Sequence, residues 1–311
     1  MNDAALSDAV RGAVAALEAG ALVILPTETV YGLAADAADA EAIARIYEAK
    51  GRPRFNPLIA HVTDRAMAER VAPLPPLAAT LADAFWPGPL TLVVPGGGDA
   101  VCDLARAGLD TVALRAPAHP VAQAVIAAFG RPVCAPSANR SGRPSPTNVA
   151  DAMEETGRFA AVALDGGPCA VGLESTVIGV GGGAARLLRP GGLERSAIEA
   201  RIGPLAAAAD DAHRSPGRLA LHYAPDAPVR LEADAPRGGE AWLTFGVRAQ
   251  GPLAFNLSPG GDLREAAANL FTYLRAADRL NPVAIAVSPI PDRGLGEAIN
   301  DRLRRAAGFV G

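Results

Sequence analysis

Short apolar runs along the chain alternate with longer stretches whose apolar residues recur every three or four positions. The first pattern is typical of buried strands and the second of helices with one buried face. Helices are predicted at residues 6–17, 38–50, 65–71, 77–85, 121–129, 147–156, 194–201, 263–279 and 296–307. Strands are predicted at residues 21–25, 58–62, 90–94, 111–115, 132–135, 161–164, 175–180, 186–188, 229–231, 241–245, 253–256 and 283–287.

This alternation predicts an α/β protein with layers of helices on a twisted, open sheet. Some predicted strands follow one another without a helix between them, so the sheet is expected to be mixed. Residues 203–227 are rich in Ala and Pro, which predicts a linker, although His222 and Tyr223 are unusual in a passive linker. We therefore expect a first domain at 1–202, a linker or active-site loop at 203–227, and a smaller Rossmann-like α/β domain at 228–311.

A polar segment follows the first predicted strand, where Thr27, Glu28 and Thr29 come directly after Pro26. Ligands of open α/β sheets bind at the carboxyl ends of strands, so this segment is a candidate site. A capped turn leading into a helix explains the same residues equally well. Ser145 and Thr147 are candidate caps for the helix predicted at 147–156.

The net charge and the cysteine content limit the classes of function that fit the sequence. The net charge is −4, which argues against a protein that coats nucleic acid or lies on a membrane surface. Lysines and arginines nevertheless concentrate beside the polar motifs of the first two-thirds, which favours a small anionic ligand. Cys102, Cys134 and Cys169 lack metal-site spacing and indicate buried thiols in a reducing compartment.

The sequence contains no apolar run of membrane-spanning length. Its first residues, Met1, Asn2 and Asp3, do not resemble a signal peptide. We therefore expect a cytoplasmic protein without a membrane partner.

Basic and hydroxyl-bearing segments recur after the predicted strands. Lys50, Arg52 and Arg54 lie within five residues and could frame a phosphate or carboxylate, or form a solvated basic loop. Arg115 shares a strand face with Thr111 and needs an anion, which is a ligand or a structural partner. Three further segments have similar composition: residues 135–145, 172–177 and 188–191.

Common catalytic signatures are absent from the sequence. It has neither a G-x-x-x-x-G-K-[ST] phosphate loop nor a G-x-G-x-x-G turn, and neither H-E-x-x-H nor G-x-S-x-G. The three glycines at 181–183 fall between two predicted strands and indicate a hairpin turn. Covalent catalysis and zinc chemistry therefore have no local support.

Taken in order, residues 26–33, 50–61, 111–117, 136–139, 173–177 and 189–191 resemble the YrdC family. The later residues 215–217 and 222–225 resemble its long, two-domain form, so the resemblance covers essentially the whole chain. It implies a YrdC-like fold and L-threonylcarbamoyladenylate synthesis from L-threonine, bicarbonate or CO₂, and ATP, with release of pyrophosphate. The product would serve N6-threonylcarbamoyladenosine formation in tRNA.

The resemblance also implies site residues. The residues implied for L-threonine are Thr29, His61, Arg115, Ser137 and Ser175. The residues implied for ATP are Lys50, Arg52, Asn56, Thr111, Ala135, Ser145, Arg189 and Tyr223. Arg115 would hold the threonine carboxylate, Ala135 would act through its backbone, and Tyr223 would close over the nucleotide.

The implied partners are Mg²⁺ with the triphosphate, a downstream tRNA threonylcarbamoyl transferase, and a weak contact with tRNA. A non-catalytic RNA-binding protein that uses the basic concavity is the alternative, disfavoured by the net charge and the scarcity of aromatic residues. A carbamoyltransferase of the hydrogenase-maturation type shares a YrdC-like domain. The chain lacks the cysteine-rich zinc patterns of that type.

Overall fold

A computed structural model describes residues 3–206, 222–246 and 251–308. The predicted linker falls partly outside these ranges, and so do the Ser-Pro-Gly residues at 215–217. In the described part of the chain, no helix combines the length and the apolar character that crossing a membrane requires.

The first two-thirds of the chain form a nine-stranded mixed sheet in the order β7-β1-β2-β6-β3-β5-β4-β8-β9. Its strands are β1 (Leu22–Leu25), β2 (Gly32–Asp36), β3 (Ile59–His61), β4 (Leu90–Pro95), β5 (Thr111–Arg115), β6 (Val133–Cys134), β7 (Ala160–Ala163), β8 (Thr176–Gly181) and β9 (Ala184–Arg189). Strand β3 pairs with β5 in parallel, whereas β6 is antiparallel to both β2 and β3. The expected mixed α/β sheet is confirmed.

Helices cover this sheet and bury their apolar faces against it. They are α1 (Asp3–Glu18), α2 (Ala40–Lys50), α3 (Arg65–Val71), α4 (Pro76–Phe85), α5 (Pro120–Phe129), α6 (Val149–Thr156) and α7 (Arg195–Ile202). Helix α2 shows why the boundaries were predictable. Asp39 accepts two backbone N–H groups at its start, and Gly51 ends it at φ 58°, a left-handed conformation that favours glycine.

The last part of the chain forms a smaller sheet of four parallel strands in the order β10-β13-β11-β12. Its elements are β10 (Val229–Arg230), β11 (Glu240–Thr244), β12 (Ala254–Asn256), α8 (Leu263–Asp278), β13 (Ala284–Val287) and α9 (Leu295–Ala306). A parallel sheet with crossover helices matches the Rossmann-like expectation. The residue limits of the two domains stay a prediction.

Helix α8 packs against the first part of the chain. Thr272 Oγ1 lies 2.8 Å from Thr147 Oγ1, and Arg275 pairs with the buried Glu155 at 3.1 Å. The backbone of α8 also lies directly against Gly172, where an added Cβ would meet the Ala268 Cα at 2.5 Å. The two parts of the chain are thus joined by polar contacts and by a close backbone approach.

Two local predictions were wrong. Residues 32–36 form strand β2, which pairs antiparallel with β1, so the polar segment after β1 does not lead into a helix. Helix α6 is capped by Asn148, whose side chain accepts the Asp151 N–H, and not by Ser145 or Thr147. The hairpin turn predicted at the three glycines is confirmed between β8 and β9.

Candidate active site

The polar segment after β1 is a tight turn shaped by Thr27. Its hydroxyl donates to the Val30 carbonyl at 2.6 Å and accepts the N–H groups of Thr29 and Val30 at 3.2 Å. These bonds replace the ladder bonds that the chain loses when it leaves the sheet. As a result, the Thr29 hydroxyl is held beside the end of β5.

Arg115, at the end of β5, is buried and contacts this turn. Its Nη1 donates to Thr29 Oγ1 at 2.8 Å, its Nη2 to Glu28 Oε1 at 2.6 Å, and its Nε to the Gly88 carbonyl at 3.3 Å. The structural partner of this arginine is therefore Glu28, whose role the sequence left open. A guanidinium carries five N–H donors. Among the described residues, these contacts leave one N–H on each terminal nitrogen, and these two donors are available to a carboxylate.

Three other predicted threonine-pocket residues lie near Arg115. His61 ends β3, pairs in register with Arg115 and places its Nδ1 3.1 Å from the Ile59 carbonyl. Burial and the neighbouring arginine lower the pKa of His61 to about 3, so the imidazole is neutral at physiological pH. Ser175 Oγ lies 2.7 Å from Thr91 Oγ1, and Ser137 bridges to Gly32 of β2.

These residues surround one cavity of about 50 Å³. All five residues predicted for threonine line it, together with four of the eight predicted for the nucleotide. Those four are Arg52, Ala135, Arg189 and Tyr223. Residues of the first sheet and its loops thus meet two residues of the predicted linker at a single site.

Cations dominate the side of this cavity that the sequence predicts for the nucleotide. Arg52 is held by the carbonyls of Asn56 and Pro57 at 3.2 and 3.0 Å, and burial lowers its pKa to about 10. Arg189 donates to the Ser175 carbonyl at 2.9 Å. Guanidiniums fixed by carbonyl oxygens keep their full positive charge. The site is therefore suited to an anionic ligand.

Tyr223 closes the cavity from the linker side. It is buried, adopts φ 62°, and stacks on Phe271 of α8 with ring centroids 5.4 Å apart. Its hydroxyl has no hydrogen-bond partner within the described ranges. Neighbouring His222 is also buried, which lowers the pKa of its imidazole to about 3. A buried, unpaired hydroxyl in a binding cavity is available to a ligand.

The remaining four predicted nucleotide residues do not line the cavity. The Lys50 ammonium donates to the carbonyls of Ser137 and Asn139 from behind it, and burial lowers the pKa of Lys50 well below its usual value. Ser145 donates to Glu174 at 2.5 Å, and Asn56 is buried behind Arg52. Thr111 lies in a second groove at the far end of β5.

The sequence did not indicate the roles of two residues at the site. Glu174 lines the cavity and lies within the segment 172–177, but no role was predicted for it. Arg302, on α9, pairs with it at 2.8 Å across 128 positions of sequence. Burial alone would raise the pKa of Glu174, but Arg302, Arg189 and the bond from Ser145 lower it to about 2. No local pattern around Arg302 indicates this contact.

The described residues do not form a metal site. Among them, no group of three or more His, Cys, Asp or Glu side chains is placed to hold an ion. The two carboxylates near the cavity are already engaged, Glu28 by Arg115 and Glu174 by Arg302. These residues therefore do not fit a protein-bound Mg²⁺.

Two family models match consecutive parts of the chain. Residues 15–191 match the Sua5_yciO_yrdC family model, described as "Telomere recombination". Residues 193–308 match Sua5_C, described as "Threonylcarbamoyl-AMP synthase, C-terminal domain". The threonylcarbamoyl-AMP synthase of Bacillus subtilis strain 168 is 41% identical over 319 aligned residues, which cover 95% of this chain and 92% of the relative. The enzyme of the same name from Schizosaccharomyces pombe is 34% identical and covers 93% of this chain and 85% of its own.

A solved structure agrees over nearly the same length. The crystal structure of Pyrococcus abyssi Sua5 complexed with L-threonine superposes with a TM-score of 0.88 at 40% identity. The superposition covers 96% of this chain and 94% of that one, so it includes both sheets.

Proposed function

Because the chain belongs to the Sua5/YciO/YrdC family in its long, two-domain form, we propose that it is a threonylcarbamoyl-AMP synthase. This enzyme condenses L-threonine, bicarbonate or CO₂, and ATP to threonylcarbamoyl-AMP and pyrophosphate, for N6-threonylcarbamoyladenosine modification of tRNA. The convergence of Thr29, Arg115 and Ser175 on one cavity with Arg52 and Arg189 carries the proposal. Such a site offers separate positions for an amino acid and a polyanion.

Threonine is proposed to bind at Arg115. The two N–H groups left over by its protein partners would hold the carboxylate as a bidentate pair, and Glu28 fixes the plane of the guanidinium. Thr29, Ser137 and Ser175 would contact the amino acid or its carbamate through hydroxyls. His61, being neutral, adds no charge that would repel the threonine ammonium.

ATP is proposed to bind beside Arg52, Arg189, Tyr223 and the Ala135 backbone. Lys50, Ser145 and Asn56 would support this side from behind, whereas Thr111 lies in a second groove at the far end of β5. The volume of about 50 Å³ is far below the roughly 300 Å³ or more of typical ligand sites. Tyr223 would therefore have to move outward before the substrates can enter.

The proposed chemistry requires no covalent intermediate with the protein. The threonine amine, after losing a proton, attacks CO₂ to give a carbamate; bicarbonate supplies the same carbon with release of water. A carbamate oxygen then attacks the α-phosphorus, and the bond to the β,γ-pyrophosphate breaks. Catalysis consists of bringing two anions together and stabilising the developing charge, which fits several fixed arginines. Return of Tyr223 would exclude water from the labile carbamate and adenylate.

Other participants are proposed from the reaction. Because the described residues do not make a metal site, Mg²⁺ would arrive bound to the triphosphate oxygens, its usual ligands in nucleotide sites. The product would pass to a separate tRNA threonylcarbamoyl transferase, and a weak contact with tRNA belongs to the same proposal. The cytoplasmic location stays a prediction of the sequence.

The test is threonine-dependent pyrophosphate release. The protein is incubated with ATP and labelled bicarbonate, with and without L-threonine, and the labelled adenylate is followed beside pyrophosphate. Arg65→Ala is the matched surface control, because Arg65 forms its ion pairs with Glu69 and Asp83 at the protein surface. The proposal fails if threonine does not stimulate release. Tight, salt-sensitive tRNA binding without ATP turnover would instead support the RNA-binding alternative.

A further inference from the structure

Arg302 connects the C-terminal part of the chain to the cavity. It lies on α9 and is completely buried, which is rare for an arginine. Its Nε donates to Glu174 Oε2 at 2.8 Å and its Nη2 to the Pro190 carbonyl at 2.9 Å. Its guanidinium carbon lies 5.1 Å from the centroid of the Tyr223 ring. One side chain thus contacts three segments that form the site.

Arg302 compensates the negative charge of Glu174 at the cavity. It lines the cavity as a carboxylate, next to the position proposed for a polyanionic nucleotide. Ser145 donates to one of its oxygens but brings no positive charge. Arg189 also lowers the pKa of Glu174, but its guanidinium is proposed to bind the nucleotide. Without Arg302, the buried carboxylate would therefore repel phosphate oxygens strongly, because a buried charge is poorly screened.

We propose that Arg302 is a positioning residue for nucleotide binding, which neutralises Glu174 and holds the Tyr223 ring against the cavity. The C-terminal part of the chain thereby completes the electrostatics of the site. This inference rests on the proposed function and adds a residue remote in sequence to it. Other ion pairs between the two parts, such as Arg195 with Glu297 on exposed helices, do not reach the cavity.

The experiment compares Arg302→Met, which keeps most of the side-chain volume but removes the charge, with Glu174→Gln and with the double variant. Binding of a non-hydrolysable ATP analogue is measured by calorimetry, and the KM for threonine is measured separately. Arg304→Met on the same helix is the control, because Arg304 is exposed and pairs with the exposed Asp292. Melting temperatures report on folding.

Arg302→Met is expected to raise the Kd for the analogue about tenfold or more. The KM for threonine should change much less, because Arg115 keeps its own partners. Adding Glu174→Gln should restore most of the nucleotide affinity, since the uncompensated charge is gone. Rescue by removal of a charge would not occur if Arg302 served packing alone.

Two results would overturn the inference: an unchanged Kd in Arg302→Met, or a loss that Glu174→Gln does not rescue. If Arg302→Met does not fold, Arg302→Lys decides the question. It keeps the charge and should bind the analogue within about threefold of wild type, whereas a tenfold loss in a folded Arg302→Lys would count against the proposal. A wild-type protein that binds no analogue would refute the proposed function itself, which separates the two failures.

Discussion

Replacing Arg115 by lysine tests the threonine site most directly. The substitution keeps one positive charge but removes the planar fork, which in the native protein contacts Gly88, Thr29 and Glu28. A lysine ammonium has three donors on one nitrogen and cannot reach Glu28, Thr29 and a substrate carboxylate with good geometry. We expect it to keep the Glu28 partner and to lose one bond to threonine.

The magnitude follows from that single lost bond. A hydrogen bond to a charged group contributes about 1.5–3 kcal/mol, and about 1.4 kcal/mol corresponds to a factor of ten. The KM for threonine should therefore rise roughly 10- to 100-fold in Arg115→Lys. The KM for ATP should stay within about twofold, because Arg52 and Arg189 are untouched.

The assay is initial-rate pyrophosphate release over a range of threonine concentrations at saturating ATP. Arg115→Ala alone is a poor probe, because it leaves Glu28 buried without its cation and should destabilise the fold by about 3–5 kcal/mol. The double variant Arg115→Met with Glu28→Gln removes both charges and should regain stability without regaining threonine use. An Arg115→Lys enzyme with a KM for threonine within twofold of wild type would refute the reasoning.

Three further predictions address other parts of the site. Tyr223→Phe should leave the melting temperature unchanged, because the hydroxyl has no partner within the described ranges, and should raise the Kd for an ATP analogue severalfold; an unchanged Kd would remove the hydroxyl from the nucleotide site. Lys50→Met should raise the KM of both substrates in rate assays, since the ammonium holds the loop that carries Ser137. His61 has a folded pKa of about 3 and an unfolded value of 6.5, so it stabilises the fold above pH 6.5 and loses that contribution as the pH falls. Urea unfolding at pH 7 and pH 5 should show a wild-type loss about 2 kcal/mol larger than that of His61→Gln, and equal losses would contradict the assignment.

Local pattern predicted most of the fold. Strand β5 has the predicted limits, and α2 ends at Lys50, the last residue of the predicted helix. Strand β2 escaped detection because residues 32–36 contain Gly, two Ala and only one large apolar residue, which gives neither alternation nor β-branched enrichment. Residues 32–36 form a strand because they pair with β1, and their own sequence does not indicate this pairing.

The sequence predicted the site residues that lie at strand ends. It did not predict the contacts between residues that are far apart in sequence. Thr29 and Arg115 stand after β1 and at the end of β5, and the structure brings them to 2.8 Å. The pairing of Arg115 with Glu28 spans 87 positions, and nothing in either segment specifies the partner. The role of Arg302 was harder to predict. Three arginines lie between positions 302 and 305 and look equivalent in sequence, but of these only Arg302 is completely buried.

Gly172 has a consequence beyond its place in the interface. An added methyl group would meet both the Cα and the carbonyl of Ala268, and the residue already adopts φ 72°. At this point the backbone of Gly172 therefore lies directly against the backbone of α8, with no room for a side chain between them. Any larger residue would push this segment and α8 apart, two positions before Glu174 and three before Ser175. The absence of a side chain at Gly172 therefore lets α8 lie directly against the segment that leads into the cavity wall.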